Sequence, residues 1–193
     1  IWHYPYEIVD RVNARWMRPS DAVVVTGFWR SGTTWLQQIV ANAFNSKPVF
    51  EPLHPDTDRK DCFAPEKWKE RASLSDVKAF MPYCSDLDNR PILRSHLHSA
   101  FTGRLPGSWV RRDYSIQDLV RKTTVVKFVR AQLLIPALQE EFACRLFHIR
   151  RDPRSIIASM FRGNWGEWIK NMDIENLLLS PDDGRRERFS CCS

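Results

Sequence analysis

Residues 23–36, Val-Val-Val-Thr-Gly-Phe-Trp-Arg-Ser-Gly-Thr-Thr-Trp-Leu, constrain this chain more than any other segment. Three β-branched residues in succession, Val23, Val24 and Val25, read as a strand buried on both faces. Gly27 and Gly32 punctuate a tight loop, and a helical period begins at Thr33. A strand, a glycine loop and a helix in that order aim several backbone N–H groups at one point, at the positive end of the helix. That point is a phosphate site. The spacing nearly reproduces the nucleotide-triphosphate signature G-x-x-x-x-G-K-[ST]. Gly27, Gly32 and Thr34 fit it, but Thr33 stands where the lysine belongs and Arg30 is the loop's only cation. The segment predicts a phosphorylated ligand whose chemistry is not that of ordinary ATP enzymes.

Strand and helix patterns alternate along the rest of the chain. The first strand is expected over 21–26 and an amphipathic helix over 33–44, with Leu36, Ile39, Val40 and Ala43 as its apolar stripe. A short strand covers 48–50, ended by Glu51-Pro52. A strand is expected at 92–97, another at 123–129, a helix at 133–141 and a strand at 145–149. Asp152-Pro153 opens the next helix, with Asp152 as N-cap and Pro153 at its first position. Residues 1–20 read as a short lead-in helix. Residues 55–122 are less regular, with capping boxes at Ser73-x-x-Asp76 and Ser115-x-x-Asp118. The whole predicts an α/β fold in three layers, a central parallel sheet flanked by helices.

In such sheets ligands bind outside the carboxyl ends of the strands. Arg30, Glu51, Arg130 and Arg151 follow the four strands in turn. Three cations and one carboxylate on one edge suit a dianionic ligand and a general base. The formal net charge of +6 agrees with an anionic partner, and nothing beside it reads as a nucleic-acid motif. Cys62, Cys84, Cys144, Cys191 and Cys192 form no C-x-x-C pair, and no histidine pair has metal spacing, so no metal is expected. The cysteines do not decide the redox compartment. No run of 18 apolar residues and no signal peptide is present; the chain opens on Ile1, so an upstream segment stays open. The 193 residues are read as one domain with a tail over 180–193 that carries no hydrophobic period.

Two segments together resemble a known family. Arg30-Ser-Gly-Thr-Thr-Trp-Leu36 and Arg151-Asp-Pro-Arg-Ser-Ile-Ile-Ala-Ser159 are similar to the two cofactor motifs of sulfotransferases that use 3'-phosphoadenosine 5'-phosphosulfate (PAPS). The resemblance covers roughly residues 20–162 and implies a P-loop-like sulfotransferase fold that needs no metal. It implies that Arg30, Ser31, Gly32, Thr33, Thr34 and Trp35 wrap the 5'-phosphosulfate. Arg151 and Ser159 then hold the 3'-phosphate, and adenosine 3',5'-bisphosphate is the product. The residues support this independently. Arg30 offers a bidentate fork to phosphate or sulfate, and the helix that begins after Arg151 carries Ser155 and Ser159 on one face. On this reading Arg30 is the cation at the reacting group.

The acceptor side reads less uniformly. Lys127 lies 24 positions before Arg151, as a lysine does in cytosolic members of the family, and is expected to touch the sulfate. Position 129, where those members carry a histidine base, is valine. His96 and His98 are the nearest substitutes. Val49-Phe-Glu-Pro-Leu-His54 and the Arg-Asp-Pro-Arg154 form of the second motif resemble the Golgi carbohydrate enzymes instead. That likeness makes Glu51 the base, or else a partner of Arg30 or Arg130, with His54 and Arg130 near the acceptor. It implies a carbohydrate hydroxyl as acceptor and a Golgi lumenal or membrane-anchored setting, with a cytoplasmic one as the alternative. Trp165-x-x-Trp168 reads as packing and Arg185-Arg-Glu-Arg188 as solvated charge.

Past Asn164 nothing resembles the family, so a fragment, a diverged form and an inactive relative all stay open. Two other functional readings stand beside the sulfotransferase: a P-loop kinase-like phosphotransferase using ATP, and a truncated relative that binds nucleotide without turnover. The missing lysine and the lack of a clear acidic strand end for Mg²⁺ count against the kinase. Oligomeric state is not legible.

Overall fold

The computed structural model describes residues 8–10, 12–54, 87–163 and 165. Four strands form one all-parallel sheet: β1 (Val23–Gly27), β2 (Lys47–Phe50), β3 (Thr124–Phe128) and β4 (Arg145–Ile149). Their spatial order is β2-β3-β1-β4. Among the described residues the α-helices α1 (Thr33–Ala43), α2 (Pro91–Phe101), α3 (Ile135–Phe142) and α4 (Pro153–Arg162) accompany them, beside a helical turn near the start of the chain. Among the described residues no helix is long and apolar enough to cross a membrane.

The sheet is buried on both faces at β1, and its side chains divide by period two. Val23, Val25 and Val125 pack against Val40 and Ala41 of α1. Val24, Val49, Val126 and Phe128 face the other way, into a larger core with Leu93, Leu97 and Phe101 of α2 and Leu138 and Phe142 of α3. Phe101 meets Phe128 and Phe142 edge to face. Helices on both faces explain why the strands are continuously apolar rather than alternating. β4 differs: of the two outer strands of this order β2 is buried, whereas Arg145, Phe147 and His148 of β4 are exposed.

Three expectations are corrected. Residues 92–97 are helix, not strand. Leu93, Leu97, Ala100 and Phe101 are buried at helical spacing, and Pro91 sits in the first turn, where its missing N–H costs nothing. The buried line of α1 is Thr33, Gln37, Val40 and Ala41, while Ile39 and Ala43 are exposed. Gln37 sets that rotation. Its buried Nε2 donates to the carbonyls of Val49 and Val125, both at 2.9 Å, which offsets the cost of burying the amide's donor end. The helix expected at 133–141 begins as a 3-10 turn over Gln132–Leu134 and becomes α-helical only at Ile135, with Pro136 in its first turn.

The Ser115–Asp118 capping box is present, at the head of a 3-10 turn over Ile116–Leu119. The box at Ser73, Trp168, the charge run at 185–188 and the tail over 180–193 lie outside the described residues. Of the lead-in helix, residues 8–10, 12 and 13 are helical. That turn is fastened by a buried charge cluster. Asp10 pairs with Lys47 Nζ at 2.5 Å and with Arg111 at 3.1 Å, all three side chains almost fully buried. The cluster ties the segment before β3 to the start of β2. Phe50 N donates to Val110 O at 2.9 Å and ties the same segment to the end of β2.

Candidate active site

The loop after β1 has the geometry of an anion cradle. A Cβ on Gly27 would sit 2.7 Å from Ile149 O and 2.8 Å from Ser31 Oγ, so only glycine fits against β4 there. Ser31 Oγ donates back to Phe28 O at 2.6 Å and closes the turn. Arg30 (φ 62°) and Gly32 (φ 98°) take the left-handed conformation that turns the chain into α1. Gly32 is the N-cap and has no side chain to offer, so no side-chain cap covers the first turn of α1. Its N–H groups are the orphan donors that an anion satisfies.

The second motif meets this loop directly. Arg30 Nε donates to Ser159 Oγ at 3.0 Å, and an Arg151 guanidinium nitrogen donates to Arg30 O at 3.0 Å. The N-terminus of α4 carries a side-chain cap on one of its N–H groups. Asp152 accepts from Ser155 N at 2.9 Å and caps it. Beside that capped helix end stand the side chains of Arg151, Arg30 and Ser159, the groups expected to hold the second anion. Ser159 is buried on α4, as the shared face with Ser155 requires.

On the other side of the cavity Glu51 is held between two cations. Its Oε1 lies 2.9 Å from Lys127 Nζ and its Oε2 lies 3.4 Å from an Arg130 guanidinium nitrogen. Glu51 has φ 38°, a conformation costly for a non-glycine residue and held here by its surroundings. Its backbone N donates to Lys127 O at 3.1 Å, extending the β2–β3 ladder by one residue. Lys127 Nζ also donates to Thr34 Oγ1 at 2.9 Å and lies 3.5 Å from the centroid of the Phe50 ring. Burial pushes the Lys127 ammonium below its usual pKa, and the Glu51 carboxylate opposes that shift. Arg130 stands over Trp29, which packs with Val129, Ile156, Met160 and Trp165.

These groups line one cavity of about 560 Å³. Of the residues expected from sequence it takes in Arg30, Gly32, Thr33, Thr34, Trp35, Glu51, His54, Lys127, Arg130 and Arg151. Ser31 and Ser159 support it from behind, through Phe28 O and Arg30. Arg30 does not reach Glu51's side of the cavity; its guanidinium is drawn to Ser159. The cation that touches both the loop threonine and the carboxylate is Lys127. Neither alternative histidine lines the cavity. His96 is buried in α2 and bonds Pro52 O at 2.8 Å, while His98 lies two residues on in the same helix. Burial holds the His96 imidazole down at about 4 and lowers His98 as well.

Sequence reasoning missed Trp109 and Arg112, and it read Trp165 as packing only; all three line the cavity. His54 stacks on Trp109 with centroids 4.1 Å apart, and Arg112 lies 4.3 Å from the centroid of Phe50. No local signal marks Trp109 and Arg112, because they reach the site through the Phe50–Val110 hydrogen bond and the Arg111–Asp10 ion pair. Among the described residues no three His, Cys, Asp or Glu side chains gather as a metal site requires.

A parallel α/β sheet with a glycine loop, an uncapped helix N-terminus and several cations around one carboxylate is an arrangement suited to an anionic group. A family model described as Sulfotransferase domain matches residues 20–177, and the chain belongs to that family. A search of curated proteins and a search of solved structures each returned no match. The family's chemistry is sulfuryl transfer, which is the chemistry the α/β phosphate-loop architecture serves here.

Proposed function

We propose that this protein moves a sulfuryl group from PAPS to a hydroxyl of a carbohydrate. One observation carries the reading. Two anion-binding elements, the loop at the head of α1 and the Arg151–Ser159 pair, are joined through Arg30 in the same cavity as the Glu51–Lys127 pair. A nucleotide phosphorylated at both its 3' and 5' positions needs two such elements, and ATP needs one. The residues fit that donor. The uncapped first turn of α1 supplies neutral N–H donors, Arg30 and Arg151 supply guanidinium forks, and about 560 Å³ is within the range of small-molecule sites.

When bound, the donor supplies an activated sulfuryl group on a phosphate leaving group. The chain supplies positioning, fixed charge and a proton acceptor. The loop N–H groups and Thr34 orient anionic oxygens beside Lys127. Lys127 holds positive charge where negative charge grows on the bridging oxygen, and being already in place it adds little reorganisation. Glu51, at the strand end beside Lys127, accepts the proton of the acceptor hydroxyl at its carboxylate. Arg130 steadies the second carboxylate oxygen. The carbohydrate assignment rests on the resemblance of Val49–His54 and of Arg151–Arg154 to the Golgi carbohydrate enzymes, and the aromatic wall of Phe50, His54 and Trp109 is compatible with a sugar ring.

Calorimetry with adenosine 3',5'-bisphosphate and with ATP tests the donor. The bisphosphate is expected to bind at least tenfold more tightly, with no dependence on Mg²⁺. Tighter binding of ATP that requires Mg²⁺ would overturn the reading in favour of a phosphotransferase.

A further inference from the structure

From Arg112 and the aromatic wall it adjoins we infer that the acceptor is an acidic sugar, its carboxylate or sulfate bound by the Arg112 guanidinium. The inference rests on the sulfotransferase reading above and names the substrate class of that same cavity.

The cavity is lined by five cations, Arg30, Arg112, Lys127, Arg130 and Arg151, and by one carboxylate, Glu51. Four of the cations already have roles. Arg30 and Arg151 join the phosphate loop to the second motif, and Lys127 and Arg130 share Glu51. Arg112 belongs to neither group. Among the described residues its ion-pair contact is a 3.7 Å approach of Nε to Asp113, longer than a hydrogen bond, and its side chain is 49% exposed. Its charge reaches Lys127, where the opposite charge of Asp113 counters it.

The guanidinium is not loose. It lies 4.3 Å from the Phe50 ring centroid and 5.4 Å from that of Trp109, contacts that hold it against the rings and spend none of its hydrogen-bond donors. Phe50 immediately precedes Glu51, so the stacked arginine stands beside the strand end that holds the proposed proton acceptor. Phe50, His54 and Trp109 form one aromatic cluster, with His54 stacked on Trp109 and Phe50 edge-on to it. Lys127 and Arg112 lie over Phe50, so the stacked His54–Trp109 pair is the aromatic surface left for the C–H face of a sugar ring, whose carboxylate or sulfate seeks the guanidinium fork. A neutral sugar would leave the Arg112 guanidinium with only the 3.7 Å approach to Asp113 as an ion pair among the described residues.

The test is a matched pair of ligands, 4-nitrophenyl β-glucuronide and 4-nitrophenyl β-glucoside, which differ by one carboxylate on the same ring. Their affinities are measured by calorimetry on the full chain, with and without saturating adenosine 3',5'-bisphosphate. The glucuronide is expected to bind about tenfold more tightly, the effect of one charge-assisted hydrogen bond. In R112Q the preference is expected to vanish while bisphosphate affinity stays within about twofold, which shows that the variant is folded. Equal affinities in the wild type, a preference that survives R112Q, or no glucuronide binding at all would each overturn the inference. Failure of the bisphosphate to bind would instead overturn the donor reading, and the glucuronide comparison without bisphosphate still judges Arg112.

Discussion

Arg30 Nε donates to Ser159 Oγ at 3.0 Å although 129 residues separate them in the chain. Arg151 closes the arrangement from the other side by donating to the backbone oxygen of Arg30. The loop after β1 and the motif after β4 thus share one arginine. The register explains how: Gly27 pairs with Ile149, so the two loops leave adjacent strands at the same level. The left-handed backbone of Arg30 then turns its side chain toward α4 rather than toward Glu51.

Arg151→Ala is expected to weaken adenosine 3',5'-bisphosphate roughly 10- to 100-fold, the effect of losing a charged hydrogen-bond donor. Adenosine 5'-phosphate should lose far less. Ser159→Ala should act in the same direction and more weakly, since Ser159 acts through Arg30. Titrations of both nucleotides against the three proteins check this. An equal loss for both nucleotides would remove the 3'-phosphate assignment.

Glu51→Gln removes the proposed proton acceptor but keeps the side-chain shape and one hydrogen-bond acceptor for Lys127. Turnover is expected to fall about 10²- to 10⁴-fold, the range for a positioned base, with bisphosphate affinity nearly unchanged. Lys127→Met should also lower turnover, and the double variant should lose much less than the product of the two effects, because the groups touch. Single-turnover rates on the four proteins measure this. Full activity in Glu51→Gln would exclude it from the mechanism.

His96 makes stability depend on pH. Its pKa falls from 6.5 in the unfolded chain to about 4 in the native state because burial disfavours the imidazolium. Between those values the unfolded chain binds more protons than the native one, so stability rises with pH. The contribution is complete above 6.5 and is lost as pH falls toward 4, an effect of about 3 kcal/mol. Urea unfolding across this window should show the slope in the wild type and a flatter one in His96→Gln. Because His96 holds Pro52 O next to Glu51, the variant should also lower turnover more than it weakens bisphosphate binding. An unchanged pH slope would refute the assignment.

Gly27→Ala should destabilise the fold by about 1–3 kcal/mol through overpacking. The added Cβ meets the backbone oxygen of Ile149, which has little room to yield. Bisphosphate binding should suffer with it, because the cradle opens as the loop is pushed from β4. Gly163→Ala, where the nearest atoms lie at 3.4 Å, is the control and should cost within about 0.5 kcal/mol. Thermal unfolding and nucleotide titration of both variants check the contrast.

The parts of this protein that could be read from the chain are those whose physics is local. Val23–Val25 and Val125–Val126 are apolar in succession because helices cover both faces of the sheet, and that burial needs no partner's identity to be recognised. The glycine loop is legible because only glycine tolerates the approach at position 27 and the turn at 32, and Asp152 is legible as a cap because its hydrogen bond spans three residues. Where the structure differs from expectation, the cause is contact between distant segments. The short apolar run at 92–97 suits strand or helix equally until α2 meets Phe128 and Phe142 through Phe101. The face of α1 depends on Gln37 finding two carbonyls on β2 and β3. Lys127, rather than Arg30, lies against Glu51 because β2 and β3 pair in a register that sets Phe50 beside Lys127. Trp109 and Arg112 enter the cavity because a buried Asp10–Arg111 ion pair and one backbone hydrogen bond at Val110 carry them there. A side chain's type is written in the sequence, but its neighbour across the sheet is set by register and packing, which no local pattern records.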